Sequence, residues 1–338
     1  MNIREIAQLA NVTPGTVSKV LNNYPDISEA TRRKVLDVIK KNQYERAFST
    51  RSLDSINSRP VIGIAIEGVY NCFYGEIEEA LLVRFHNAGY TIMTFHDNYF
   101  IQDKKEKFNE LQNYILKHNL QGMVYVGGNF SSVNTRNFSA LSCPVIFVNT
   151  VLPENHEQPV FSSIKCNHEE SASRQLQRLI DNGHKKIALM ISSIEDNSVY
   201  GLHLKSYREV LKKNGLEENE SNIVTGDYVY AKTYRNLKEH LAKHPDITAV
   251  CCSADVMVPA VLRAIHDTGK SVPKDMEVIG FDGLELLNYC VPSVTTFEQP
   301  FTEIVNFIHD LLTGLISKER RHQNITFDCS LILRESCR

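Results

Sequence analysis

The chain has 338 residues, of which 42% are hydrophobic and 23% charged, and its formal net charge at pH 7 is −3. This length allows two or three domains that each bury a core, and no segment offers the roughly 20 apolar residues that a membrane-spanning helix needs. The eight cysteines include no C-x-x-C pair, so we expect reduced thiols and neither a disulfide framework nor a zinc site.

The charges are unevenly distributed along the chain. Residues 1–60 contain ten basic and six acidic residues, a net charge of +4, which leaves −7 on the remainder. A basic N-terminal region on an acidic body is typical of a DNA-binding arm attached to a domain that binds metabolites. The first residues enter a helical pattern without a signal peptide, so we expect a cytoplasmic protein.

Two short amphipathic segments separated by a tight break occupy residues 2–21. In each segment the apolar residues recur three or four positions apart, which is the spacing of one helix face. These residues are Ile3, Ile6, Ala7 and Ala10 in the first segment, and Val17, Val20 and Leu21 in the second. Asn11 lies at the break, where a helix-turn-helix corner needs a positive φ that asparagine tolerates.

The second segment begins as a DNA-reading helix should. Thr13 is a good N-cap, and Pro14 suits the first helical position. Small, polar and basic side chains at the start of such a helix are suited to reading the major groove. The residues expected to contact DNA here are Thr13, Pro14, Gly15, Thr16, Ser18 and Lys19.

A third helix is predicted after Ser28, which can cap it. Its apolar stripe consists of Val35, Leu36, Val38 and Ile39, and it should end near residues 42–44.

The string Thr-Val-Ser-Lys-Val-Leu-Asn at residues 16–22 resembles the LacI/GalR family of bacterial transcription regulators. Later motifs extend the resemblance to the whole chain: Asn71–Tyr74, Gly183–Ala188, Val278–Asp282 and Gln299-Pro300. The resemblance implies an all-α helix-turn-helix head joined by a hinge to an α/β body that is similar to periplasmic binding proteins, with two parallel-sheet lobes. We place the head at residues 1–45, the hinge at 46–60, the N-terminal lobe at 61–160 and 293–323, and the C-terminal lobe at 161–292 and 324–338.

The hinge segment contains Arg51-Ser52-Leu53, which is similar to the family's hinge sequence. In the family this segment folds into a short helix on operator DNA and inserts a leucine between base pairs. Such a wedge unstacks a base step and kinks the duplex. The resemblance therefore assigns Arg51 and Leu53 to DNA binding, although the preceding residues 46–50 depart from the usual pattern.

The body alternates near-continuous apolar runs with amphipathic segments, which indicates parallel sheets covered on both faces by helices. Strands are predicted at Val61–Ile66, Thr91–Phe95, Gly122–Val126, Val145–Val148, Ile187–Ile191, Ala249–Cys252 and Glu277–Phe281. Helices are predicted at Gly75–Ala88, Lys104–His118, Glu170–Asn182, Leu202–Asn214, Ala231–Lys243, Met257–Thr268 and Thr302–Leu315. A small ligand belongs between the lobes, at the carboxyl ends of the strands.

The resemblance also implies which residues line that cleft. They are Phe73, Tyr74, Asn149, Asn197, His203, Tyr228, Ala254 and Asp282. The aromatic rings could stack on a planar base or on the apolar face of a sugar, or could simply belong to the core. The Asp282 carboxylate could accept two hydroxyl hydrogen bonds.

Three positions depart from the pattern of sugar-responsive members. Those members usually have Arg where His203 stands and Asn where Ala254 stands, and often Asp where Cys166 stands. A site that lacks hydrogen-bonding anchors does not hold the same hydroxyls tightly. We therefore expect either an effector that is not a simple hexose or a site that responds poorly to ligand.

Two other classes of protein compete with a regulator. An enzyme is disfavoured, because the sequence has no phosphate-binding loop, nucleophile elbow, zinc-protease motif or dinucleotide fingerprint, and no cofactor or metal is implied. A solute-binding receptor without a regulatory role would suit the body, but it has no use for a basic helix-turn-helix. The preferred hypothesis is a homodimeric regulator, most simply a repressor, that binds a near-palindromic operator under effector control. Because no leucine heptads follow the body, dimers are expected.

Overall fold

The structure is a computed structural model. It describes residues 7–21, 27–41, 59–67, 71–97, 103–154, 159–218 and 220–338, although some side chains within the first two helices, including those of Ser18 and Lys19, are outside this description. The chain divides into two compact units, Met1–Arg59 and Pro60–Arg338. The first unit is called the head and the second the body.

The described part of the head is helical. Residues 7–9 belong to a helix, and they are followed by α1 (Pro14–Leu21) and α2 (Glu29–Lys41). Apolar side chains from all three helices form a small core: Ala7, Ala10, Val17, Val20 and Val35. Val35 and Val38 of the predicted stripe are confirmed, but Leu36 is 45% exposed and does not belong to the core. The predicted core residues Ile3 and Ile6, and the side chains of Leu21 and Ile39, lie outside the described residues. Val35 and Val38, three positions apart, face the core, and Leu36 lies about 100° away from Val35 around the helix.

The body contains two six-stranded sheets. Their strand orders are β11-β5-β4-β3-β1-β2 and β12-β10-β9-β8-β6-β7. All neighbouring strands are parallel except β12, which is antiparallel to β10. The strands are β1 Val61–Glu67, β2 Thr91–Asp97, β3 Gly122–Val126, β4 Val145–Val148, β5 Ser162–Cys166, β6 Ile187–Ile191, β7 Ile223–Thr225, β8 Ala249–Cys252, β9 Glu277–Asp282, β10 Thr295–Glu298, β11 Asn324–Phe327 and β12 Ser330–Ile332.

Helices cover these sheets because each has an apolar face that must be buried. They are α3 Cys72–Asn87, α4 Lys104–Lys117, α5 Thr135–Phe138, α6 His168–Asp181, α7 Leu202–Lys213, α8 Tyr230–Lys243, α9 Val258–Asp267 and α10 Phe301–Ile316. The seven long helices of the body and seven of its strands were predicted, with ends that differ by no more than three residues. Within the described ranges, no helix combines the length and apolar character that a bilayer crossing requires.

The chain passes between the lobes later than the sequence suggested. Ser162–Cys166 was assigned to the C-terminal lobe, but it pairs with β4 and β11 in the first sheet. Thr295–Glu298 was assigned to the N-terminal lobe, but it pairs with β9 in the second sheet. Asn324–Phe327 was assigned to the C-terminal lobe, but it pairs with β5 in the first sheet. Most residues of the two short strands β5 and β10 are polar, since the apolar ones are Ile164 and Cys166 in β5 and Phe297 in β10. They therefore lack the continuous apolar signal of the central strands. Lobe 1 therefore comprises residues 60–166 and 301–327, and lobe 2 comprises residues 168–298 and 330–338.

Candidate DNA-reading head and interlobe cleft

The turn of the head has the backbone that a helix-turn-helix corner requires. Asn11 adopts a φ of 50°, as its position predicted. The Asn11 N–H donates to Gln8 O at 3.1 Å and the Val12 N–H donates to Ala7 O at 2.9 Å. These bonds close the preceding helix with an asparagine in the left-handed region, in the manner of a helix C-cap.

The start of α1 is open to solvent. The Thr13 hydroxyl accepts a hydrogen bond from the Thr16 N–H at 3.1 Å, which confirms Thr13 as the cap. Thr13, Pro14 and Gly15 are exposed, and Thr16 is half-buried. The helix start therefore exposes small side chains together with the partial positive charge of a helix N-terminus. The side chains of Ser18 and Lys19, and the hinge residues Arg51 and Leu53, lie outside the described residues.

The predicted aromatic residues of lobe 1 lie in the first turn of α3. Asn71 caps this helix by accepting the Phe73 N–H at 3.1 Å. The Phe73 ring packs edge-on against Phe301 of α10, with centroids 6.2 Å apart, so it belongs to the core of lobe 1. The Tyr74 ring instead meets Tyr200 of lobe 2 edge-on, at 6.0 Å. Of the two, Tyr74 is the one that reaches the other lobe.

Asn149, directly after β4, joins several segments. Its Oδ1 accepts from the Cys166 N–H at 3.1 Å, and its Nδ2 donates to Gln299 Oε1 at 3.0 Å. Its φ is 47°, and two further predicted cleft residues, Tyr228 at 56° and Asp282 at 120°, also have positive φ. Non-glycine residues in such conformations concentrate at functional sites because surrounding contacts must hold them there.

Asp282 ends β9 and is almost fully buried. Its Oδ1 accepts from the Tyr200 hydroxyl at 2.7 Å and from Gln299 Nε2 at 2.8 Å. Its Oδ2 has no hydrogen-bond partner among the described residues. Burial, and then the nearby Asp255 carboxylate, raise the pKa of Asp282 well above its usual value, while its two hydrogen bonds oppose that rise.

Asp255 positions the turn that carries Asp282. Its Oδ2 accepts from the N–H groups of Gly283 and Leu284 at 2.8 and 2.9 Å, and the Thr296 hydroxyl donates to the same carboxylate. A Cβ at Gly280 would lie 2.0 Å from Asp255 Oδ1, so only glycine fits there. Burial raises the pKa of Asp255 to about 6 despite these bonds.

Two histidines lie beside this turn, and both are fully buried. His203 is in α7 as predicted, and His168, at the start of α6, was missed by sequence reasoning. Within the described chain, neither ring has a hydrogen-bond partner on either nitrogen. Burial lowers the pKa of His203 to about 3 and that of His168 well below its ordinary value, so both rings are neutral near pH 7.

The remaining predicted cleft residues make fewer side-chain contacts at the centre of the cleft. Asn197 is exposed at the rim, where its backbone carbonyl accepts from Asn129 Nδ2 of lobe 1 at 2.6 Å. The half-buried Tyr228 ring lies 6.3 Å from that of Tyr200, and Ala254 is fully buried without a polar side-chain group.

Tyr200 and Gln299 also belong to this cluster although neither was predicted as a cleft residue. The Gln-Pro motif was a signal for Gln299. No periodic pattern marks Tyr200, which lies in a short 3₁₀ helix, Val199–Gly201.

The interlobe cleft is closed in this structure, because its central residues are buried from solvent. An open cavity of about 770 Å³ lies elsewhere, at the amino-terminal edge of the first sheet, where it is lined by Phe138, Pro144, Phe161, Leu315, Arg320 and His322 among others. Among the described residues, no group of three or more His, Cys, Asp or Glu is arranged to hold a metal ion.

Comparisons with known proteins identify both parts of the chain. Residues 2–47 match the family profile described as bacterial regulatory proteins, lacI family, and residues 176–337 match a periplasmic binding protein-like domain. The HTH-type transcriptional regulator MalR of Clostridium butyricum is 30% identical over 337 residues, which cover 100% of this chain and 99% of that protein.

Two solved structures have the same fold. A transcriptional regulator CelR–cellobiose complex is 24% identical, with a TM-score of 0.67 and 99% of each chain covered. A lac repressor dimer bound to operator and the anti-inducer ONPF is 21% identical, with a TM-score of 0.68 and 99% and 98% of the two chains covered. These similarities confirm the predicted head and two-lobed body.

Proposed function

Because this chain belongs to the LacI family of bacterial regulatory proteins, we propose that it acts as a homodimeric repressor of a near-palindromic operator under small-molecule control. The family consists of transcription regulators and not of enzymes. A solute-binding receptor without a regulatory role remains the competing function. The observation that carries the proposal is the exposed, threonine-capped start of α1 directly after a left-handed Asn11.

On the operator, α1 of each subunit enters a major groove. Pro14 and Gly15 have no hydrogen-bonding side chains, so readout there depends on thymine methyl contacts and on Lys19, which suits guanine acceptors. Thr13, Ser18 and the helix start meet phosphates. Arg51 and Leu53 act in the minor groove between the half-sites, where Leu53 is the wedge.

Exposed apolar side chains support the homodimer. Tyr289 and Val291 of lobe 2 are 77% and 94% exposed, and Val83 of α3 is 57% exposed. Tyr289 and Val291, two positions apart in the chain, are exposed apolar residues of the kind that indicates an interaction surface. The double variant Tyr289→Asp/Val291→Asp should shift the chain to monomers in analytical ultracentrifugation. Leu116→Asp, at a residue of α4 that is 65% exposed, is the matched control and should leave the dimer intact.

The effector is proposed to bind between the lobes and to change operator affinity by changing how the lobes close, with a coupling of about 1–3 kcal/mol. His203 and Ala254 replace the usual Arg and Asn, which supports an effector other than a simple hexose. Calorimetric titration with a panel of free hexoses should give no tight binding. A tight complex with any common hexose would remove this part of the proposal.

The decisive experiment is selection of bound duplexes from fragmented genomic DNA, followed by affinity measurements at fixed salt. Lys19→Ala should relax base preference at one position per half-site, whereas Lys34→Ala, which removes the same charge from α2, should leave the base profile unchanged. Leu53→Ala should weaken operator binding much more than non-specific binding. No preference for any duplex over random sequence would favour the receptor over the regulator.

A further inference from the structure

The centre of the interlobe cleft contains the side chain of Tyr200. This residue belongs to lobe 2 and is 2% exposed. Its ring lies 5.1 Å from that of His168 and 6.0 Å from that of Tyr74, so it packs against both walls of the cleft. An aromatic ring held between two lobes and surrounded by other rings is packed as a bound ligand would be.

The Tyr200 hydroxyl makes the hydrogen bonds that a ligand hydroxyl would make. It donates to Asp282 Oδ1 at 2.7 Å, and Gln299 Nε2 lies 3.4 Å from its oxygen. Gln299 in turn accepts from Asn149 of lobe 1 at 3.0 Å. One continuous chain of hydrogen bonds therefore runs from the phenol of lobe 2 to the wall of lobe 1.

The turn that carries Tyr200 is built to hold it in place. Ser198 Oγ accepts from the Tyr200 N–H at 3.2 Å, and Asp196 accepts from the Ser198 N–H at 2.8 Å and from the Ser192 hydroxyl at 2.6 Å. A Cβ at Gly201 would lie 2.0 Å from the Asp196 carbonyl oxygen, so glycine is required beside the tyrosine. These contacts fix the direction in which the ring enters the cleft.

We propose that Tyr200 is an internal ligand of the cleft, so that the lobes close around this chain's own phenol. The identification of the cleft as the effector site rests on the proposed function. Closure then needs no added small molecule, and a compound that enters must displace the phenol and replace its hydrogen bond to Asp282. The class of compound that fits is a flat, uncharged ring that bears a hydroxyl group.

Tyr200→Ala tests the proposal by leaving a phenol-sized space in the full-length chain. Calorimetric titration with 4-methylphenol should give saturable binding to Tyr200→Ala and no binding to the parent chain. Tyr200→Phe, which keeps the ring and loses the hydroxyl, should also bind none. A folded Tyr200→Ala chain that takes up no 4-methylphenol, or a parent chain that binds it equally well, overturns the proposal.

Hydrogen exchange provides a second measurement if Tyr200→Ala does not fold. In Tyr200→Phe the amide of Gln299, which donates to Asp282 O at 3.1 Å, should exchange several-fold faster than in the parent. Tyr207→Phe is the matched control, because its buried hydroxyl donates to Ile187 O within lobe 2, and it should leave that amide unchanged. Unaltered exchange in Tyr200→Phe overturns the proposal.

Operator binding by the same preparations separates this proposal from the proposed function. If Tyr200→Ala takes up 4-methylphenol but the chain prefers no DNA sequence, the proposed regulatory function is wrong and the proposal that Tyr200 is an internal ligand stands. If the chain binds DNA sequence-specifically but Tyr200→Ala takes up no 4-methylphenol, the regulatory function stands and the internal-ligand proposal is wrong.

Discussion

The two lobes have the same six-stranded architecture but treat their buried polar groups differently. In lobe 1 the buried charges are paired: Lys107 Nζ lies 2.7 Å from Glu67 Oε1, and the Tyr125 hydroxyl donates to Glu67 Oε2 at 3.1 Å. In lobe 2, the rings of His168 and His203 and the Oδ2 atom of Asp282 lack hydrogen-bond partners within the described residues. Because buried polar groups are normally paired, this difference teaches that the unpaired polar atoms of the cleft, among the described residues, lie on its lobe 2 side.

Breaking the pairing in lobe 1 should have the largest effect. Lys107→Met leaves the Glu67 carboxylate buried without its cation and should lower the free energy of unfolding by about 3–5 kcal/mol. Lys205→Met is the control, because Lys205 and Glu169 form an ion pair of the same 2.7 Å length with side chains 53% and 45% exposed. That variant should leave the free energy of unfolding nearly unchanged, because solvent screens an exposed ion pair. Equal losses in urea unfolding would show that burial does not distinguish the two pairs.

The two buried histidines of the cleft, His168 and His203, should make the free energy of unfolding depend on pH. The pKa of His203 falls from 6.5 to about 3 on burial, so below pH 6.5 the unfolded chain takes up a proton that the folded chain excludes. The contribution of His203 to the free energy of unfolding is therefore fully present above pH 6.5. It is lost as pH falls towards 3, at up to about 1.4 kcal/mol per pH unit.

His203→Phe should remove this loss, which amounts to about 2 kcal/mol near pH 5. Asp282 acts in the opposite sense, since its raised pKa makes its contribution to the free energy of unfolding fall as pH rises. The free energy of unfolding is measured against pH for the parent and the variant. The difference between the two curves gives the contribution of His203. Parallel curves would contradict the assignment of a neutral buried ring.

The last comparison between the lobes concerns single hydroxyl groups. Thr296→Val in lobe 2 removes a donor to the buried Asp255 carboxylate and should cost about 1.5–3 kcal/mol. Thr313→Val in lobe 1 removes a half-buried hydroxyl that donates to carbonyls of its own helix, those of His309 at 2.8 Å and Asp310 at 3.3 Å. That change should cost about 0.5 kcal/mol. Similar losses in thermal unfolding would mean that the charge of Asp255 adds nothing to the bond.

The sequence predicted those parts of the molecule that depend on local periodicity. The central strands and long helices have continuous or evenly spaced apolar residues, and Thr13 and Asn11 have the local chemistry of a cap and a corner. The lobe boundaries were wrong because β5 and β10 are defined by their neighbours in the sheet. Tyr200 and His168 were missed for a related reason, since their surroundings come from segments distant in sequence.

The way the lobes are assembled has a consequence for biosynthesis. Lobe 1 needs α10 and β11, and lobe 2 needs β12 and Ser336, whose hydroxyl donates to Val278 O at 2.6 Å. Lobe 1 therefore cannot be completed until Phe327 has left the ribosome, nor lobe 2 until Ser336 has done so. Among the described residues, the small core of the head consists of side chains between residues 7 and 38, so its helices can pack while the body is still being translated.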